Sequence, residues 1–233
     1  MTRCPDFPTS SSDSSDLIPP TAMLIDCHTH RLPTDPTTAL LSCNMTDPLP
    51  PASAVYLSVG IHPWWLTKDN LTAQQEWVRT RLTDQRVIAL GETGLDKRCP
   101  TPFPLQEQAF RWMIACSEAH RLPLIIHNVK ATAELIALRQ HSRARQPWII
   151  HGFRGKKELG QSLLRQGCYL SFGEHYATDT LAAMPTGRWL LETDDSTASI
   201  HRLLQRAATI RKQSENQLEE ELAQTVGRLF FRL

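Results

Sequence analysis

Five short apolar runs in this sequence end in residues that bind metal ions. The first reads Leu24-Ile25-Asp26-Cys27-His28-Thr29-His30, and the second Ile88-Ala89-Leu90-Gly91-Glu92. Two more are Leu124-Ile125-Ile126-His127 and Trp148-Ile149-Ile150-His151, and the last is Leu190-Leu191-Glu192-Thr193-Asp194. Side chains alternate along a strand, so Asp26, His28 and His30 are expected on one side of the first. If the runs are parallel strands, His28, His30, Glu92, His127, His151 and Asp194 converge at one end of a sheet. A single histidine at a strand end is more often a satisfied structural residue, and an isolated acid more often a helix cap or ion-pair partner. Unconnected structural uses would not keep landing at the same end of successive strands.

Four imidazoles and two carboxylates exceed the three or four side chains that one zinc ion uses, so two cations are the natural occupancy. A central carboxylate can bridge them. Ions about 3.5–4 Å apart activate water and clamp the attacking and leaving oxygens of a hydrolytic displacement. Imidazole-rich sets suit Zn, Mn, Co or Ni better than Mg, which stays a candidate, or Ca.

The elements that must position these groups can be read from periodicity. Eight apolar runs, Met23–Cys27, Ala39–Cys43, Ala54–Gly60, Val87–Gly91, Leu124–Ile126, Trp148–Ile150, Cys168–Phe172 and Trp189–Leu191, are expected strands. Helical patterns separate the later ones. Leu105, Ala109, Trp112, Met113 and Cys116 mark one buried face, with Pro104 in the first turn and Pro123 beyond the end. Further helices are expected over 72–82, 131–140, 156–166, 177–184, 199–212 and 215–229. Alternating strands and helices predict an α/β fold with a parallel sheet, and eight strands close a TIM-type barrel with its site at the carboxyl ends. Pro-rich sequence at 31–38 and 44–53 leaves little room for the first two crossover helices, which are expected to be shortened or missing. Gly91 and Gly94 lack the rest of a nucleotide-binding glycine fingerprint and carry no cofactor expectation.

The 233 residues carry a formal net charge of +1, so no general field draws the chain to a polyanion. Six cysteines without a CxxC pair point to thiols in a reducing compartment rather than a disulfide framework or thiolate metal site. No apolar run reaches the roughly 18 residues of a membrane span, and the first residues lack a secretory signal. A cytoplasmic protein with no membrane partner and no obligate protein partner is the expectation. Residues 1–22, rich in Ser, Thr, Pro and Asp, are expected to be a disordered tail before a hydrolase domain over 23–233, with Met23 a candidate start of translation.

The motifs resemble the TatD family of metal-dependent hydrolases, often called TatD-related deoxyribonucleases. The likeness spans Met23 to Leu233: Asp26-Cys27-His28-Thr29-His30, Gly60-Ile61-His62-Pro63, Gly91-Glu92-Thr93-Gly94-Leu95-Asp96, His127, His151-Gly152-Phe153-Arg154-Gly155, Leu191-Glu192-Thr193-Asp194 and Arg228-Leu229-Phe230. The resemblance implies a binuclear site. His28, His30, Glu92 and Asp194 would hold one metal and Glu92, His127 and His151 the other, with Glu92 bridging. Glu92 and Asp194 become the catalytic acids, Asp194 orienting the water or taking its proton. Asp26 and Asp96 would accept imidazole N–H bonds, or else serve ordinary backbone hydrogen bonding at strand ends. His62 would face substrate, unless its motif is only a rigid Pro63 turn.

Three departures bear on the substrate. Family members often carry arginine two residues beyond the fifth-strand histidine, where this chain has Val129; valine cannot hold a phosphate bidentately. Lys130, Arg154 and Lys156 could restore charge or be plain solvated surface. Thr225 stands where asparagine is usual, and the early helices are short. DNA phosphodiester hydrolysis is therefore the leading expectation. Amide or ester hydrolysis, such as aminoacyl-tRNA deacylation, is the alternative, and a non-catalytic protein keeping the fold comes last. Trp64 and Trp65 could stack on bases or pack against the barrel. His120, His141 and His201 are read as solvated.

Overall fold

The computed structural model describes residues 25–233; the expected tail over 1–22 and the candidate start at Met23 lie outside the described residues. Eight strands run parallel and close in sequence order: β1 (Asp26–Thr29), β2 (Ala39–Cys43), β3 (Tyr56–Val59), β4 (Val87–Asp96), β5 (Leu124–Val129), β6 (Trp148–Ile150), β7 (Tyr169–Phe172) and β8 (Trp189–Leu191). β1 pairs with both β2 and β8, which shuts the barrel. The expected TIM-type architecture is the one observed.

Alternation divides the apolar residues into two layers. Cys27, Leu40, Tyr56, Ala89, Ile125, Ile149 and Leu190, from seven strands, fill the lumen together with Val226, Leu229 and Phe230 from the chain's end. Ile25, Leu57, Leu90, Ile126, Trp148, Leu170, Phe172, Trp189 and Leu191 belong to the second layer, against the helices. The lumen is thus packed below, and only its upper layer is left for polar groups.

The helices are α1 (Leu71–Arg81), α2 (Phe103–His120), α3 (Thr132–Ser142), α4 (Lys157–Arg165), α5 (Thr178–Ala182), α6 (Ile200–Arg211) and α7 (Glu215–Val226). As expected, β1 reaches β2 through one short turn, Pro36–Thr38, and no helix lies between β2 and β3. The expected last helix ends early. After Val226 the backbone widens into a π-helical turn over Gly227–Phe231, which carries Leu229 and Phe230 under the lumen. His120 departs from its reading as solvated: it is half-buried, and burial lowers its pKa. No described helix is long and apolar enough to cross a membrane.

Two strands depart from their expected form, and both departures move site residues. In β1, Asp26 pairs with Ala39 but Thr29 with Leu41, so one extra residue is accommodated between them. In β4, Leu90 pairs with Leu124 and Thr93 with Ile126, again with one extra residue. β4 also runs on to Asp96 instead of stopping at Gly91. Its glycines explain how. A Cβ on Gly91 would lie 2.3 Å from the Ile125 carbonyl oxygen, and one on Gly94 would lie 2.1 Å from that of His127. Their φ values, +120° and +147°, belong to glycine's range. The Gly91-x-x-Gly94 spacing serves close approach of β4 to β5. Gly94→Ala should lower stability by about 2 kcal/mol or more, a fall in Tm of about 4–8 °C, measured by thermal unfolding of the chelated protein.

Candidate metal centre

Glu92 lies at the middle of the upper lumen, 6% exposed. Its two oxygens face different imidazoles. Oε2 is 3.5 Å from His28 Nε2 and 3.4 Å from His30 Nε2. Oε1 is 2.7 Å from His127 Nδ1, 2.7 Å from His151 Nε2 and 3.1 Å from His62 Nε2. Asp194 closes the first group, with Oδ1 3.7 Å from Nε2 of both His28 and His30. Burial alone would raise the Glu92 pKa; the flanking His151, His127 and His28 outweigh it and hold the carboxyl well below its ordinary value. His151 moves the other way: burial opposes its protonation, but Glu92 and Glu192 carry it well above the usual histidine range.

This donor set fits divalent cations. Nitrogen and oxygen ligand atoms gather within 4.8 Å of one another in His28–His30–Glu92, in His28–His151–Asp194 and in His62–Glu92–His127. His28 is fully buried, yet neither ring nitrogen has a hydrogen-bond partner among the described residues. A buried imidazole left so is costly unless a cation takes its lone pair. The groups also cross the expected division, since His151 lies with His28 and Asp194 as well as beside Glu92.

Asp194 is pinned from both sides. Its N–H donates to the His28 carbonyl at 3.0 Å, and its carbonyl accepts from the His30 N–H at 3.2 Å. Thr193 beside it is held by Asp26, whose Oδ1 accepts from the Thr193 N–H at 2.9 Å while Oδ2 lies 2.6 Å from Thr193 Oγ1. Of the two roles expected for Asp26, backbone hydrogen bonding at a strand end is the one the geometry shows. The extra residue in β1 breaks the alternation, so Asp26 does not share a face with His28 and His30. Its described bonds go to Thr193 and to the His28 backbone, not to an imidazole.

Asp96 does meet an imidazole, its Oδ2 lying 3.0 Å from His127 Nε2. The same oxygen accepts from Trp64 Nε1 at 2.8 Å, and Oδ1 accepts from the Arg98 N–H at 2.7 Å. The Asp96 backbone is clasped by Gln106 of α2: Oε1 accepts from the Asp96 N–H, and Nε2 donates to the Asp96 carbonyl. His62 caps the turn Pro63–Trp65, with Nδ1 accepting from the Trp64 N–H at 3.2 Å. A neutral ring so engaged carries its proton on Nε2, so His62 faces Glu92 as a hydrogen-bond donor rather than as a further cation ligand. Arg154 lies apart, in a smaller adjoining pocket with His175, Gly173 and Ser196.

Sequence reasoning overlooked two supports, Gln106 and Glu192. Glu192 is fully buried; Oε1 accepts from the Gly152 N–H at 2.6 Å and faces His151 Nδ1 at 3.5 Å. It stood in the Leu-Glu-Thr-Asp motif, where a buried acid next to a ligand strand was the available signal.

Above the centre opens a cavity of about 480 Å³. Its floor holds Glu92, His127 and His151, and its walls include Asn44, Asp47, Trp64, Trp65 and Asp195. Trp64 and Trp65 are 45% and 52% exposed. None of its lining residues is lysine or arginine.

The sequence profile described as TatD related DNase matches residues 34–231. The chain belongs to the TatD-related DNase family. The match starts after His28 and His30, so those two histidines enter the centre through the geometry above. Among its relatives, the uncharacterized metal-dependent hydrolase YabD of Bacillus subtilis is 30% identical over 152 residues, 60% of this chain and 58% of the relative. The uncharacterized metal-dependent hydrolase YcfH of Escherichia coli is 30% identical over 149 residues, 60% of this chain and 55% of the relative. The aligned part thus spans less than two thirds of these curated relatives. The crystal structure of YjjV, a TatD homologue from Escherichia coli, superposes with a TM-score of 0.72 at 16% identity, covering 90% of this chain and 98% of that one. A TatD family hydrolase from Entamoeba histolytica gives 0.71 at 12% identity, covering 91% and 99%. At these identities the likeness speaks for the fold.

Burial of the Asp26 carboxyl makes stability depend on pH. Burial raises its pKa from 3.8 to about 7, against the lowering effect of its bonds to Thr193. A carboxyl with a raised folded-state pKa contributes its full stability below the unfolded value and loses it as pH rises through the folded one. The window is therefore about pH 4 to 7. Asn reproduces the protonated acid, so Asp26→Asn should match the parent near pH 4. At pH 8 it should exceed the parent by on the order of 1–3 kcal/mol. Urea unfolding in chelator at the two pH values checks this, and equal differences at both would refute it.

Proposed function

We propose that this family member is a binuclear metal-dependent hydrolase that cleaves phosphodiester bonds, with DNA as its substrate class. One observation carries the reading: the two oxygens of buried Glu92 face separate imidazole groups, His28 and His30 on one side, His127 and His151 on the other. That is the disposition a bridging carboxylate requires. His28, His30, Glu92 and Asp194 would hold one divalent cation, and Glu92, His127 and His151 the other. Zn, Mn, Co and Ni suit these donors, and Mg is the remaining candidate. When bound, such a pair supplies Lewis-acid polarisation of the scissile group and eases deprotonation of water.

The chain's own residues do the rest. Asp194, part-exposed on the cavity wall, orients the attacking water and accepts its proton. His62 donates from Nε2 toward the reacting centre, where charge develops on oxygen. Trp64, held through its indole N–H by Asp96, offers a ring of set orientation to a base at the mouth. Arg154 borders the adjoining pocket, which shares Asp194 and Asp195 with the main cavity, and there it can meet a neighbouring phosphate. The free thiols at Cys27, Cys43, Cys99 and Cys168 support a reducing, cytoplasmic setting.

The cavity lining favours a second reading, amide or ester hydrolysis. It contains Asp47 and Asp195 but neither lysine nor arginine. Val129, at the end of β5, offers no charge to a phosphate. A less anionic substrate, such as an aminoacyl ester, suits those walls. Single- and double-stranded DNA, esters, amides and charged tRNA should be assayed with Mn, Mg and Zn, with His28→Ala and Glu92→Gln as controls. Metal-dependent DNA cleavage, falling on the order of 100-fold or more in both variants, is expected. No DNA cleavage under any metal, beside turnover of an ester or amide, would transfer the assignment to the second reading.

A further inference from the structure

The two halves of the centre differ in what stands behind their imidazoles. On the His127 and His151 side, each imidazole is backed by a buried carboxylate. Asp96, 2% exposed, lies 3.0 Å from His127 Nε2, and fully buried Glu192 faces His151 Nδ1 at 3.5 Å. Both acids are themselves anchored, Asp96 by Trp64, Arg98 and the Gln106 clasp on its backbone, Glu192 by the Gly152 N–H. Each ring is thereby turned so that its other nitrogen reaches Glu92 at 2.7 Å. On the other side His28 and His30 stand 3.5 and 3.4 Å from Glu92. There, the ring nitrogens of His28 and His30 that face away from Glu92 have no carboxylate within 4.0 Å among the described residues, and His30 and Asp194 are 29% and 27% exposed.

Carboxylates behind ligating imidazoles fix ring orientation and raise ligand basicity; removing one typically costs 10–100-fold in metal affinity. We propose that the two cation positions are unequal: Glu92, His127 and His151, backed by Asp96 and Glu192, retain a resident ion, whereas His28, His30 and Asp194 hold an exchangeable one. Asp96 and Glu192 are positioning residues, acting through the rings they orient. The inference rests on the binuclear reading given above.

The test uses the full chain, stripped with chelator, reloaded with Mn²⁺, desalted and analysed for metal content, alongside calorimetric titration with Mn²⁺. About one retained ion per chain is expected, with a second binding step at least about 10-fold weaker. His30→Ala should abolish the weaker step and keep the retained ion. Glu192→Gln and Asp96→Asn should weaken the tighter step by about 10–100-fold and leave the other in place. Two ions retained with equal affinity, or loss of the retained ion in His30→Ala, overturn the inequality while the binuclear reading stands. No Mn²⁺ bound at all overturns both. The content of the unmutated chain decides the matter even where a variant does not fold.

Discussion

A carboxylate buried among five histidines is an arrangement that proteins avoid unless the charges are balanced, because each ion removed from water costs several kcal/mol. Glu92 is in that position, and the upper barrel is organised around balancing it. Its neighbours come from β1, β5, the turns after β3 and β6, and the segment beyond β8. No local element could assemble them. Closure of the sheet brings these strand ends around one axis, and the packed lumen below, sealed by Leu229 and Phe230, keeps water from undermining the floor. The metal-binding capacity is thus a property of barrel closure.

Around this centre lies a layer of groups that never face the cavity. Asp26 holds Thr193 and through it Asp194; Gln106 holds the Asp96 backbone; Asp96 and Glu192 stand behind imidazoles. Each acts by limiting the rotation of a residue that does face the cavity. Rigid support of this kind is what lets a site keep its geometry before substrate arrives. It also links the family-level chemistry to particular helices and strands, since Gln106 ties α2 to the centre.

Much of this was legible in the residues. The eight apolar runs became the eight strands, and the Pro-rich stretches after β1 and β2 correctly foretold crossovers with one short helical turn and with none. Strand ends were readable from hydrophobicity alone, and closure of the sheet brings the six candidate ligands at those ends together. What escaped was set by pairing between distant strands. The extra residues in β1 and β4 exist only relative to β2 and β5, so simple alternation put Asp26 on the wrong face and ended β4 too soon. Gln106 falls on a helix face expected to be apolar, and Glu192 is distinguished from an ordinary acid only by what surrounds it. Partners some 10 to 40 positions away leave no periodic trace.

The bare connections between β1, β2 and β3 give the barrel an uneven rim. Elsewhere a helix returns the chain across the outside, but here Asn44 and Asp47 reach the cavity wall from a loop that owes little to the barrel's packing. Changes in that loop's length or composition would reshape the doorway without disturbing a single ligand-bearing strand. Selectivity and chemistry are therefore separable in this architecture: descendants of such a chain can exchange one guest for another while conserving the machinery beneath.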